Sequence, residues 1–209
     1  MVINTIPRVL YQNKIAEILD EVRDNYGKLT RKGYIYGLIA IDQDAKIIAI
    51  DSRFDRTLNY WDLSSIGAAL YGVSRQGQDF FDADYLDRAA IIYNNLQLFV
   101  RSIGDVIIPK KGKREILIVL LADKEVNVGV IIWQMSRFSE KLKKEIENSD
   151  SIKHTLKLTE KELKEHIKKL KKEIFSQKAG ASAKSRDDVG IYQPLKFENS
   201  IRLYHNLKF

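Results

Sequence analysis

The sequence predicts an α/β fold: a five-stranded, mainly antiparallel sheet sandwiched by helices in the order α-β-β-α-β-β-β-α, plus a C-terminal helix and tail. Three observations carry that prediction. Apolar residues recur at three-to-four spacing over residues 7–27, 62–76 and 127–147, as one buried helix face requires. Between these stretches lie short runs rich in Ile, Val and Leu, of the length of strands. Turn-forming residues join neighbouring runs closely enough to make hairpins.

Each element follows from its own residues. In the first helix Pro7 suits the opening turn, and Leu10, Ile15, Ile18, Leu19 and Val22 form the apolar side until the polar Lys28–Lys32 stretch ends it. Residues 34–41 are nearly continuous in apolar character, as a strand covered on both faces should be. Asp42, Gln43, Asp44 and Ala45 supply a turn into a second strand at 46–51. Asp62 is the expected N-cap of the next helix, whose apolar row is Leu63, Ile66, Leu70 and Val73. Beside it runs a second row of small residues: Ser65, Ala68, Ala69 and Gly72. Glycine in a helix costs about 1 kcal/mol relative to alanine. Such a row therefore marks a close approach, either by the helix's own sheet or by a helix of a second subunit.

Strands at 88–94 and 96–103 flank Asn94 and Asn95, which tolerate the positive φ of a tight turn. Residues 105–114 read as an insertion before the most hydrophobic segment, 115–122, the expected central strand. The helix at 127–147 places Ile131, Met135, Phe138, Leu142 and Ile146 on one side. These elements make one domain over residues 1–149.

The net charge of +7 is unevenly placed. Residues 1–139 carry 18 Lys and Arg against 17 Asp and Glu, whereas 140–186 carry 14 against 8. The surplus thus belongs to an arm, expected as a basic amphipathic helix over 150–176, a polar linker over 177–190 and an apolar docking tail over 191–209. Thr159 and Glu162 form a capping box ahead of an apolar row of Leu163, Ile167, Leu170 and Ile174. Beside it, Lys161, Lys164, Lys168, Lys171 and Lys172 make a basic stripe. The stripe fits the solvated face of a helix that pairs through its apolar row, or a helix lying on an anionic membrane. Nucleic acid is a third reading, weakened by four interspersed glutamates and the lack of interleaved aromatics.

Catalytic chemistry is not nominated. The chain has no cysteine, which removes thiolate ligands and nucleophiles. It has no phosphate-binding glycine loop, dinucleotide fingerprint or metalloprotease motif. His154, His166 and His205 are too dispersed for a metal site. Asp79, Asp82, Asp84 and Asp87 lack the glycine and closing glutamate of a calcium loop and read as a solvated turn. No enzyme activity, cofactor or metal is expected. No secretory signal or membrane span is visible, so a cytoplasmic protein is expected, with peripheral membrane contact as the variant that the basic helix allows.

The middle of the chain resembles the Roadblock family of dynein light chains and GTPase regulators. The likeness lies in Tyr36-Gly37, the acidic turn Asp42-Gln43-Asp44-Ala45 and the second strand running to Ser52, then in the small-residue helix from Ser64 to Leu70. It continues in the apolar strand from Ile116 to Ala122 and the helix opening Asn127-Val128-Gly129, and so covers about residues 8–147. Ala45 departs from the glycine common in that family's hairpin turn. The resemblance implies a non-enzymatic dimer, with itself or with a paralogue, formed through the small-residue helix and the third strand, whose paired surface seats or scaffolds a Ras-like small GTPase. Carried to this chain, it implies an interface at Ser65, Ile66, Ala69 and Gly72, extended by Ala68 of the same row, with Ile91 and Tyr93 on the strand. The longin fold shares the sheet but starts at its first strand. Its implied function is a membrane-trafficking adaptor that uses the basic helix at anionic membranes, and the helix over 7–27 favours Roadblock.

Overall fold

The apolar runs pair edge to edge in the computed structural model, which describes residues 6–108 and 112–157 together with Glu165 and Lys168. The strands are β1 (Ile35–Asp42), β2 (Ile47–Ile50), β3 (Ala89–Ile92), β4 (Leu96–Ile108) and β5 (Gly112–Asp123). They lie in the order β2-β1-β5-β4-β3, and all four pairings are antiparallel. The helices are α1 (Arg8–Tyr11), α2 (Lys14–Leu29), α3 (Tyr60–Phe80), α4 (Val128–Asn148) and α5 (Asp150–Lys157). The architecture is the helix-covered five-stranded sheet that the sequence predicts.

Two cores follow from the alternation of side chains along the strands. On one face Ile116, Ile118 and Leu120 of β5 pack with Leu19 and Val22 of α2 and with Ile131, Met135 and Leu142 of α4. On the other, Leu117 and Val119 pack with Ile39 and Ile41 of β1, under Leu10 of α1 and Leu63 and Tyr71 of α3. Gly37 leaves room for an aromatic ring on the backbone of β1, since a Cβ there would run into the Phe54 ring.

Several boundaries differ from the sequence expectation, each for a local reason. The helix expected over 7–27 breaks after Tyr11. Asn13 caps α2 by accepting from the Ala16 N–H at 2.9 Å, while its Nδ2 donates to the Val9 carbonyl at 2.8 Å. A side chain that satisfies both helix ends competes with a continuous helix. The N-cap of α3 is Asn59 and not Asp62, with Asn59 Oδ1 accepting from the Trp61 N–H at 3.0 Å. Asp62 instead sits in the first turn, where its charge complements the helix dipole. Ala45 holds a φ of 62°, so the turn keeps a left-handed residue although it lacks glycine.

Of the stretch 105–114, residues 105–108 extend β4 and 112–114 open β5, in a long antiparallel pairing in which Asp105 faces Glu115 and Ile108 faces Gly112. The device behind this is a bulge at Gly104, with φ 99°, where the register shifts. An irregularity of one residue moves every later side chain to the opposite face. Val106 and Ile108 are thereby buried in the same core as Phe99 and Ile103.

Residues 150–157, which the sequence assigns to the arm, fold as α5 against α4, β2 and β4. Ile152 and Leu156 enter the first core. The buried Lys46 donates from Nζ to the Leu156 carbonyl at 3.0 Å, at the negative end of the α5 dipole. Lys46 also stands 3.9 Å from Asp42 Oδ2. Burial raises the Asp42 carboxyl above its usual range, against the opposing pull of the Lys46 backbone N–H and charge. The arm beyond Lys157, including its capping box, linker and tail, lies outside the described residues apart from Glu165 and Lys168.

If α5 is integral to the domain, Leu156→Ala lowers the unfolding free energy by roughly 2–5 kcal/mol, the usual cost of deleting a buried leucine side chain. Urea unfolding of the full chain measures it. A loss under ~0.5 kcal/mol, typical of an exposed surface site, separates α5 from the fold.

Candidate functional site on the outer face of α3

The 21 residues of α3 divide by face. Leu63, Ser64, Gly67 and Tyr71 turn to the sheet and are buried. Ser65, Ala69 and Gly72 turn outward, at the i, i+4, i+7 spacing that lines up on one side of a helix. Ile66 (49% exposed) and Val73 (69% exposed), seven residues apart, line up together along one side of that strip. Ala68 is half-buried at the boundary. The sequence left open whether the small row approaches its own sheet or another molecule. The sheet contact belongs to Gly67, where a Cβ would lie 2.5 Å from Val119 Cγ2. Gly72 has open space where a side chain would go. The sequence placed Ile66 and Val73 in an apolar row with Leu63 and Leu70; the structure separates them, with Leu63 buried and Leu70 half-buried.

The strand named with this helix stands beside an open edge. β3 ends the sheet order, paired only with β4. Ile91 is half-buried and packs into the α3-side core. Tyr93, one residue past the strand, is 55% exposed, and Ile92 on the opposite face is 75% exposed. The structure therefore sets a strip of small residues beside two exposed aliphatic side chains, on the same side of the molecule as an unpaired strand edge. Such a surface admits a second helix at short range and a second strand by backbone pairing.

A charged cluster closes the C-terminal half of α3. Tyr71 donates to Glu115 Oε1 at 2.8 Å, and Arg75, one turn beyond Gly72, pairs with Glu115 Oε2. Burial, then the bond to Glu115, pushes the Tyr71 phenol from 10.0 up to about 12. The three residues border a cavity of about 320 Å³ with Arg101 and Ser102. Beyond it the aspartates expected as a solvated turn behave in two ways. Asp82 and Asp84 are exposed, whereas Asp87 pairs with Arg88 at 3.2 Å and Arg101 at 3.1 Å. Phe80 and Phe81 stack edge to face there, 5.2 Å apart, and both are exposed.

Among the described residues no group of three or more His, Asp or Glu is placed to hold a metal, and no helix is long and apolar enough to cross a membrane. Of the basic stripe, Lys168 is described and exposed; Lys161, Lys164, Lys171 and Lys172 lie outside the described residues. Sequence reasoning missed Gly67, Val73 and Ile92. For Gly67 the signal was present, since a glycine beside two alanines in a helix needs a packing reason.

By sequence the chain matches no family model, and no curated protein is similar enough to count as a relative. By structure it is similar to MglB of Myxococcus xanthus, at 12% identity and a TM-score of 0.50, over 65% of this chain and 97% of that one. It is equally similar to the gliding protein MglB of Thermus thermophilus, at 16% identity and 0.50, over 69% and 100%. A Roadblock/LC7 domain from Streptomyces avermitilis aligns at 15% identity and 0.45, over 59% and 92%. The fold is the Roadblock fold. In it, α3 occupies the place of the small-residue helix and α2 precedes the first strand of the sheet, as the resemblance in the sequence implies.

Two measurements probe this Roadblock helix. Gly67→Ala costs roughly 1–3 kcal/mol through overpacking against Val119, while Gly72→Ala changes monomer stability by up to about 1 kcal/mol in the favourable direction. Denaturation at several protein concentrations separates monomer stability from any association. The raised Tyr71 pKa makes its contribution complete below pH 10 and lost as pH rises through about 12. An alkaline ultraviolet titration should show a late phenol step that Tyr71→Phe removes.

Proposed function

We propose that this protein is a Roadblock-type dimer, of two copies or of one copy with a similar subunit, that binds and regulates or scaffolds a Ras-like small GTPase. The observation that carries the reading is the outward strip Ser65, Ala69 and Gly72 beside the open edge of β3. A helix face with so little side chain gains little from water exposure and lets a second helix approach closely. Ile66 and Val73, together along one side of the strip, would then become an apolar border of the contact. β3 would meet its counterpart across the same axis and join the two sheets, with Tyr93 near the junction. A two-fold, self-complementary interface of this kind is the commonest arrangement among soluble oligomers.

The paired surface would carry the apolar strips at its centre and the Arg75–Glu115 clusters outside them, and a small GTPase would seat across both copies. The basic stripe at Lys161, Lys164, Lys168, Lys171 and Lys172 would reach toward the partner or extend the dimer.

Light scattering on the full chain tests the interface. The expected result is a dimer for the wild-type chain and a folded monomer for Ala69→Arg, because a buried unpaired guanidinium is not tolerated between two close helices. A dimer that survives Ala69→Arg assigns self-association to another surface. Co-elution of the dimer with GTP-loaded Ras-like proteins, lost in the same variant, tests the partner.

A further inference from the structure

A second cavity, of about 260 Å³, lies at the opposite side of the sheet, where the end of α2 meets the start of β1 and the turn after β2. Three arginines line it: Arg23, Arg31 and Arg53. Arg23 is fixed, pairing with the buried Asp51 and donating to the Ile35 carbonyl, and it lies 5.8 Å from the centre of the Tyr34 ring. Arg53 makes its contacts through Nη2 alone, to Asp24 at 2.7 Å and to the Asp20 carbonyl at 3.4 Å. A guanidinium has five N–H donors, so most of those on Arg53 remain available. Arg31 is exposed and makes no ion pair among the described residues.

Its surroundings are also basic. Lys28 and Lys32 flank Arg31, exposed and likewise without an ion pair among the described residues. Four carboxylates nearby are engaged: Asp51 by Arg23 and the Leu38 N–H, Asp24 by Arg53, Asp20 by the Ser52 N–H at 2.9 Å, and Asp123 by the Tyr34 and Glu125 N–H groups. Arg31, Lys28 and Lys32 are thus cations with no ion pair among the described residues. Leu29 (57% exposed) and Tyr34 (51% exposed) stand beside these cations.

The segment that carries Arg31 is held in place. Gly33 has φ 81°, and a Cβ there would run into the Val126 backbone nitrogen, so no side chain fits. The Tyr26 hydroxyl donates to the Lys32 carbonyl at 2.6 Å and accepts from the Asn127 N–H at 3.0 Å. The Tyr34 N–H donates to Asp123 Oδ2 at 2.6 Å. A basic segment strapped down at both ends loses little ordering entropy on binding.

We propose that this cavity binds a phosphate group, with Arg31 and Arg53 donating to its oxygens and Lys28 and Lys32 supplying the surrounding field. Guanidinium forks match phosphate geometry, and the volume suits a single phosphate with part of its carrier. The phosphate comes either free in solution or on a lipid headgroup, for which Leu29 and Tyr34 offer apolar contact. The site lies away from the α3 face, so it does not rest on the GTPase reading.

The test uses the full chain with two probes: inorganic phosphate by calorimetry at low ionic strength, and phosphatidylcholine vesicles with about 5% phosphatidylinositol 4-phosphate by co-sedimentation. Binding to inorganic phosphate alone identifies a soluble ligand; binding to the vesicles that inorganic phosphate displaces identifies a headgroup. In either case Arg31→Glu, and more mildly Arg31→Ala, should weaken binding by about tenfold or more with unchanged thermal stability, because Arg31 is exposed. Doubly substituted Lys161→Glu/Lys164→Glu protein should bind as the wild type does. No binding to either probe, full affinity in Arg31→Glu, or loss confined to the Lys161 and Lys164 variant overturns the proposal.

Discussion

Strand β5 is buried on both faces from Ile116 to Leu120, and each face needs a separate cover. One face receives α2, α4 and α5. The other receives the short α1 and the single long α3, which approaches closely because Gly67 lets Val119 touch the helix. A helix pressed against a sheet by its glycine has committed that side and must present the remainder to solvent or to a partner. The outward strip of Ser65, Ala69 and Gly72 is the consequence, with the exposed Ile66 and Val73 along one side of it.

The ends of the sheet are held by polar groups that join helices to strands. Arg23 ties α2 to Asp51 after β2, Lys46 ties the β1–β2 turn to the end of α5, and Tyr71 and Arg75 tie α3 to Glu115 of β5. Each pair is at least partly buried, so removing one partner leaves the other's charge or donor unsatisfied. These links give the hairpin ends a fixed position relative to the helices. The two surfaces discussed above depend on that, since Arg75 closes one end of the α3 face and Arg23 forms the floor of the basic cavity.

The two surfaces lie at opposite edges of the sheet, one beside β3 and the other beside β1 and β2. A subunit paired through β3 leaves the basic cavity open. The proposed partner surface and the proposed anion site therefore share no side chain.

Much of the fold was legible in the residues. Three-to-four spacing marked α2, α3 and α4, continuous apolar runs marked β1 and β5, and their order together with Gly37 and the small-residue helix pointed to Roadblock architecture. What periodicity cannot supply is which of two apolar sides of a helix meets the sheet: Leu63 and Val73 look alike in sequence, and only the contact between Gly67 and Val119 separates core from surface. Nor could it show that residues 105–108 and 112–114 extend the two strands, because the bulge at Gly104 resets the alternation on which strand recognition relies. The polar stretch Lys28–Lys32 read only as the end of a helix. Its meeting with Arg53, which lies two strands further along the chain, is a product of the tertiary fold. Sequence thus determined the elements and their order, through local periodicity; the tertiary structure decided which faces remain open, because that depends on contacts between residues distant in the chain.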